Sequence, residues 1–403
     1  MRRIRFSRTP VFHFEALRAV WTAAAGGGDF GEVAAVLERV RPNDFESWYR
    51  RWSEMAERVV DGARATGEPV SRGRALLRAS NYVREAEFFL RPDDPRRVTA
   101  AQAQRRFFDA GTAYLGVPIT RERVPYGDAH LETLLLTPPA SPAQPAPRGP
   151  RTLLVVQGGF DSTLEELYFM IGAGAAERGH DVLMFTGPGQ GTTLREDGVP
   201  FTPEWERPTR AVLDWVDGRV EADRTVGVGI SFGGHLLARA AAFEERYDGI
   251  VLFDYFPGML DAFVHSVPAP LRGAFTRMPA WLRASIPVYA RFDAQARWAI
   301  RNALWTFGVG TLPDLVETLR AYDDHDWAGR ITADALVMAG EGEHFYDPEL
   351  ARDFTGRLTG ARSTRLRLFP AEGGGHLHCQ AGALEQAHEV IFEWLERTAP
   401  APV

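Results

Sequence analysis

The chain has 403 residues, 45% of them hydrophobic and 25% charged, a composition that can bury a large core and excludes wholesale disorder. Its net charge of −7 is spread without a basic stripe, which argues against nucleic acid as a partner, and no run of 18 apolar residues is present to cross a membrane. Lysine is absent, so all 46 basic residues are arginine, which excludes a Schiff-base lysine, a pyridoxal phosphate anchor and a P-loop lysine; no cofactor is expected. Cys379, the single cysteine, excludes an internal disulfide and a CxxC zinc site, and no metal is expected. The start, "MRRIRFSRTPVFHF", has the basic residues of a secretory signal without its apolar stretch, so a cytoplasmic location is expected. The oligomeric state is open, a homodimer included.

From Asn43 to about Tyr114, apolar residues recur at spacings of three and four in "SWYRRWSEMAERVV", "GRALLRASNYVREAEFFL" and "AAQAQRRFFDAGTAYL". Three helices fit, with room for a fourth before residue 40. "ITRERVPYG" and "AHLETLLLTP" read as strands paired around Gly127 and Asp128, a hairpin signal. The proline-rich stretch 138–150 connects strands within one domain. Short apolar runs then alternate with helical segments: "TLLVVQG", a helix from Leu164 to Arg178, "DVLMFTG", a helix from Glu204 to Gly218, "RTVGVGI", a helix from Gly233 to Glu245, and "GIVLFDY". A mostly helical insertion at about 257–330 precedes "DALVMAG", a helix from Pro348 to Leu358, "STRLRLF" and a last helix from Ala383 to Arg397. This alternation predicts an α/β fold with a mostly parallel sheet and helices on both faces, whose ligands bind beyond the carboxyl ends of the strands. The division expected is a helical domain over 1–115 and a catalytic domain over 116–403 that carries the insertion.

The candidate chemistry sits at those strand ends. "GVGISFGGHLL", residues 227–237, contains a GxSxG, which arises by accident in about one chain in ten of this composition. Here it joins a strand directly to a helix, the context that lifts a serine hydroxyl on a strained turn, with Gly229 and Gly233 leaving room for the backbone; Ser231 is the candidate nucleophile. A serine needs a histidine base steadied by a carboxylate. "FPAEGGGHLHCQAG" offers His376 and His378, and "EGEHFYDPE" offers Glu341, Glu343 and Asp347, with Glu343 preferred because the turn after Gly340 can aim it back. Asp254, at the end of "GIVLFDY", is an outside candidate for the acid. An oxyanion would take the N–H of Phe232 and one from "VVQGGFDS", with Phe160 first and Gly159 second. "TGPGQGTT" lacks both a GxGxxG spacing and a lysine and reads as a tight loop bordering the site; Cys379 reads as filler.

These stretches together resemble α/β-hydrolases of the FrsA-like esterase family. Within it they are similar to the branch of dihydroxypseudooxynicotine hydrolases and fungal yellowish-green-type hydrolases that shorten polyketides. The resemblance runs over nearly the whole chain and rests on "LLRASNYVREAEFFL", "GGFDSTLEEL", "GPGQG", "GISFGG", "WTFGV" and "EGGGHLHCQAG". It implies an α/β-hydrolase fold with an N-terminal helical cap, and it selects His378 as the base. The family's acid is usually an aspartate in a turn like "GEDDHF"; here "GEGEHF" puts Glu343 in that place. Aromatic residues such as Tyr82, Phe88, Phe89 and Trp305 would line a capped pocket, and with Gly159, Tyr82 and Trp305 are the expected substrate contacts. The activity implied is hydrolysis of an ester, or of a C–C bond next to a ketone, in an aromatic or polyketide-like small molecule. The same triad would also serve an acyltransferase or cyclase, while a non-catalytic scaffold would not need the complete Ser, acid, His order.

Overall fold

A computed structural model describes residues 5–138, 151–267, 269–323 and 325–399. All of the proline-rich stretch except Pro138 lies outside the described residues. The chain divides into two compact units, one of residues up to Pro118 with Tyr168–Met170 and Arg283–Trp305, the other holding the remainder.

In the first unit five helices follow one another: α1 (Pro10–Trp21), α2 (Phe30–Leu37), α3 (Phe45–Ala65), α4 (Pro69–Glu87) and α5 (Arg96–Tyr114). Two helices therefore precede residue 40 where the sequence pattern left room for one. Their starts follow ordinary capping chemistry: Asp29 accepts from the Gly31 and Glu32 amides, Asp44 from Ser47, and Glu68 from Val70 and Ser71. The apolar faces meet in an aromatic core in which Trp48 packs 4.7 Å from Phe12 and Trp52 lies 5.3 Å from Tyr82. Part of the expected insertion joins this unit. Ala294 is buried in the same core, and Trp298 stacks 4.7 Å from Phe88 while donating to its carbonyl at 3.1 Å. The insertion is thus divided between the two units, because the apolar side of residues 283–305 finds its partners among the N-terminal helices.

The second unit is built on an eight-stranded sheet in the order β1-β2-β4-β3-β5-β6-β7-β8. The strands are β1 (Ile119–Tyr126), β2 (Ala129–Leu136), β3 (Thr152–Gln157), β4 (Asp181–Thr186), β5 (Arg224–Ile230), β6 (Gly249–Phe253), β7 (Asp334–Gly340) and β8 (Thr364–Phe369). β1 and β2 form the hairpin around Gly127 and Asp128, and β2 meets β4 antiparallel; every later pairing is parallel. β3, β4, β5 and β6 are almost wholly buried, as strands covered on both faces must be. The strand order reverses at β3, which lies between β4 and β5, so the loops leaving β3 and β5 face a common crevice at their carboxyl ends. The helix expected from Leu164 is interrupted: Leu164–Leu167 and Ala173–Ala176 are α-helical, and Tyr168–Gly172 between them forms a π turn.

Candidate active site

Ser231 leaves β5 with φ 60° and ψ −128°, a conformation that is strained for any residue bearing a side chain, and the helix Phe232–Ala241 starts immediately after it. Its amide donates to Phe253 O at 2.9 Å and its carbonyl accepts from Gly234 at 2.8 Å, so both flanks of the turn are held. The glycines are sterically required. A Cβ on Gly229 would lie 2.2 Å from Gly233 O, and one on Gly233 would lie 2.6 Å from Gly158 O.

The loop after β3 lies against this turn: a Cβ on Gly159 would come within 3.0 Å of Phe232 N and of Ser231 Cβ. Gly159 donates its own N–H to Ser162 Oγ at 3.0 Å, which commits that amide and leaves Phe160 as the next amide along the loop. Gln190, in "GPGQG", donates to the carbonyls of both Gly158 and Gly159, at 2.8 and 2.7 Å, and accepts from Gly187 N–H. This glutamine sets the shape of the loop. Sequence reasoning placed its segment beside the site without assigning it work; the signal available was the polar residue inside a glycine-rich turn.

His378 Nε2 lies 2.8 Å from Ser231 Oγ, and its Nδ1 lies 2.5 Å from Glu343 Oε2. The second Glu343 oxygen accepts from the amides of His344 and Phe345 at 2.6 and 2.7 Å. Ser231, His378 and Glu343 therefore form one hydrogen-bonded chain across the ends of three connections. Glu343 reaches it because Gly340 ends β7 against the histidine loop, where a Cβ would lie 2.2 Å from His376 O. Burial alone would raise the Glu343 carboxyl, but His378 beside it and the amides at its other oxygen hold it below its usual value. For His378 the balance runs the opposite way: burial would lower it, while the Glu343 carboxylate bonded to it favours the charged ring and raises it.

The rival candidates are employed elsewhere. Asp347 is exposed and accepts from Glu349 N–H at the start of helix Glu349–Arg357; Glu341 is exposed. His376 gives its carbonyl to Gly342 N–H. Asp254 is fully buried behind His378 and does not make the short bond to it: its Oδ1 is 4.0 Å from Nδ1. Asp254, His378 and Cys379 present close ligand atoms of the kind that can hold a metal, yet Nδ1 is taken by Glu343, and Asp254 accepts from Tyr346, Cys379 and Gln380. Burial pushes the Cys379 thiol up to about 11, which keeps it protonated near neutrality and unsuited to act as a nucleophile.

Of the expected substrate contacts, Gly159 adjoins Ser231. Tyr82 and Trp305 belong to the helical unit and are engaged there. The Tyr82 hydroxyl donates to Glu32 at 2.6 Å and accepts from Asp29 N–H at 2.9 Å, with the ring fully buried. Arg97 lies over the Trp305 ring at 4.5 Å. Within the sheet unit it is Phe307, two residues after Trp305 in "WTFGV", that stacks with Phe160 at 6.2 Å and lies tilted against Phe201 at 5.0 Å. Phe201 meets the Phe232 ring at 5.7 Å, and Phe345 stands edge-on to His378 at 4.9 Å. The walls beside the chain of Ser231, His378 and Glu343 are thus aromatic.

Fold and sequence place the chain in a known class. Residues 153–393 match the model of the Alpha/beta hydrolase family, and the chain belongs to that family. It is 33% identical to hydrolase acrC of Aspergillus aculeatus, an alignment covering 97% of each protein. It is also 31% identical to the 20-hydroxy-prefusarin hydrolase FUS2 of Gibberella moniliformis, over 96% of each. The crystal structure of 2,6-dihydroxy-pseudo-oxynicotine hydrolase shares the fold with a TM-score of 0.72 at 19% identity, covering 95% of this chain and 96% of that one. The protein is accordingly an α/β-fold hydrolase, and among its described residues no helix is long and apolar enough to cross a membrane.

Proposed function

We propose that the protein is a serine hydrolase that cleaves a C–C bond next to a ketone, or an ester, in an aromatic or polyketide-like small molecule through an acyl-enzyme. The observation that carries this reading is the continuous chain from Ser231 Oγ through His378 to Glu343, begun on a strained strand-to-helix turn. Ser231 Oγ attacks the substrate carbonyl carbon while His378 Nε2 takes its proton, and the carbonyl oxygen becomes an oxyanion held by the Phe160 and Phe232 amides. Collapse breaks the bond to the leaving group, which His378 protonates. Water, deprotonated by the same imidazole, then adds to the acyl-enzyme and expels Ser231.

Glu343 holds the imidazole in one orientation and stabilises its charge during both transfers. In C–C cleavage the departing carbon carries the electron pair, so the substrate must stabilise it as an enolate or as an electron-rich ring. The names of FUS2 and of the 2,6-dihydroxy-pseudo-oxynicotine hydrolase support a hydroxylated substrate, and the Phe160, Phe201 and Phe307 rings favour a flat apolar one.

A panel of aryl esters and β-diketones of matched acyl group tests this, with products and intact protein read by mass spectrometry. Turnover of at least one class, and a covalent acyl increment on the wild type that is absent from Ser231→Ala, is the expected result. Turnover that survives in Ser231→Ala would contradict it.

A further inference from the structure

Behind His378, on the side away from Ser231, the turn after β6 carries a second carboxylate for which the triad has no role. Asp254 is fully buried and sits at φ 55°, a left-handed conformation at the carboxyl end of the strand. Its two oxygens collect three donors from two other connections. Tyr346 OH, three residues after Glu343, reaches Oδ1 at 2.6 Å; Cys379 N–H and Gln380 Nε2 reach Oδ2 at 2.6 and 3.2 Å. Cys379 and Gln380 both lie near φ +50°, so the residues following the histidine are held in a strained path that the chain alone would not favour. Asp254 thereby ties the turn of the acid to the turn of the base, with Oδ1 4.0 Å from His378 Nδ1.

We infer that Asp254 is a positioning residue of this active site: it fixes the histidine loop through Cys379 N–H and adds a second negative charge beside the imidazole, raising its basicity toward Ser231. The inference rests on the triad reading above. Burial and the neighbouring Glu343 push the Asp254 carboxyl up, to about 7, while the donors at its oxygens favour the ionised form. The other titratable groups facing the imidazole are Glu343, His344 and Tyr346 from the loop after β7, Cys379 beside it in the chain, and Ser231 from the elbow. Of these only Glu343 and Asp254 place a carboxylate within 4.0 Å of the ring among the described residues.

The test is the rate at which a fluorophosphonate labels Ser231 as a function of pH, in wild type, Asp254→Asn and Tyr346→Phe. Asparagine keeps an acceptor for Cys379 N–H and Gln380 Nε2, turns the atom facing Tyr346 OH from acceptor to donor, and removes the charge. Because losing a nearby anion makes the imidazolium easier to deprotonate, the midpoint of the Asp254→Asn profile moves down by about one pH unit. Its plateau falls roughly tenfold as the base weakens. Tyr346→Phe removes a donor that favours the ionised carboxylate, so the Asp254 carboxyl rises, part of the charge beside the imidazole is lost, and the midpoint moves the same way by less. This second variant carries the test should the first fold poorly. Profiles with the wild-type midpoint in both variants would overturn the inference while leaving the triad intact. A wild type that does not label at all would overturn both.

Discussion

In the helical unit the buried Arg84 guanidinium lies 3.2 Å from Glu15 and 2.9 Å from Glu85, over the ring of Phe88, all on regular helix and its flanks. In the sheet unit the buried His378 lies between Ser231 and Glu343, on backbone forced out of the ordinary regions. Among the described residues, six without a glycine's freedom have positive φ, and four of them are Ser231, Asp254, Cys379 and Gln380. Both clusters are buried and hydrogen-bonded; only one is strained and ends on a partly exposed hydroxyl. Polar burial by itself marks a place where the fold is specified, and strain gathered around a reachable hydroxyl marks a candidate place for chemistry.

That comparison can be broken at several points. The largest effect belongs to Glu343→Gln, which keeps the shape and removes the charge that steadies His378. Turnover falls by about 10³ to 10⁴-fold with little loss of folding stability, and the acid limb of the pH profile moves to lower pH because the imidazolium loses its anion. Stopped turnover assays across pH check both; an unchanged rate would assign the acid to another carboxylate. Next is Arg84→Ala, which removes the guanidinium shared by two buried carboxylates in the helical unit, of which Glu15 keeps Arg18 at 3.5 Å, and costs about 3 kcal/mol in urea unfolding. A cost near zero would mean that the pair is dispensable for the fold. The smallest is Tyr82→Phe, which loses the bonds to Glu32 and Asp29 and costs about 1–2 kcal/mol. Loss of turnover in a folded Tyr82→Phe protein would place that residue in contact with substrate rather than in a structural role.

The Arg84 region shows what a sequence motif can and cannot say. "RASNYVR" carried the family resemblance, and every polar residue in it works inside the helical unit. Arg78 and Tyr82 bind Glu32, Ser80 donates to Gln104 O, Asn81 spans Thr22 and Gly27 O, and Arg84 meets Glu15 and Glu85. These partners lie 24 to 69 residues away except for Glu85, so no local pattern reveals them. The candidate nucleophile was legible as a site because its geometry is local: a strand, a strained residue and glycines at fixed offsets. The candidate acid and base were legible as neighbours of that site because each follows a strand end that the alternation of elements locates.

Asp254 illustrates the limit. Its position at a strand end suggested a triad acid, but the choice between it and Glu343 depends on an oxygen at 2.5 Å against one at 4.0 Å, a difference fixed by the Gly340 turn packing on the histidine loop. Trp305 and Phe307 differ in the same way. Two residues apart on one chain, they fall into different units, and the divided insertion could not be seen from helical periodicity.

The proposed function requires Ser231 to be a nucleophile activated by His378. Reaction with a fluorophosphonate followed by intact-mass measurement tests it most directly. One adduct per chain on the wild type, none on Ser231→Ala and strongly slowed formation on His378→Ala are the results expected. Labelling of Ser231→Ala equal to that of the wild type, or no adduct on the wild type at all, would contradict it.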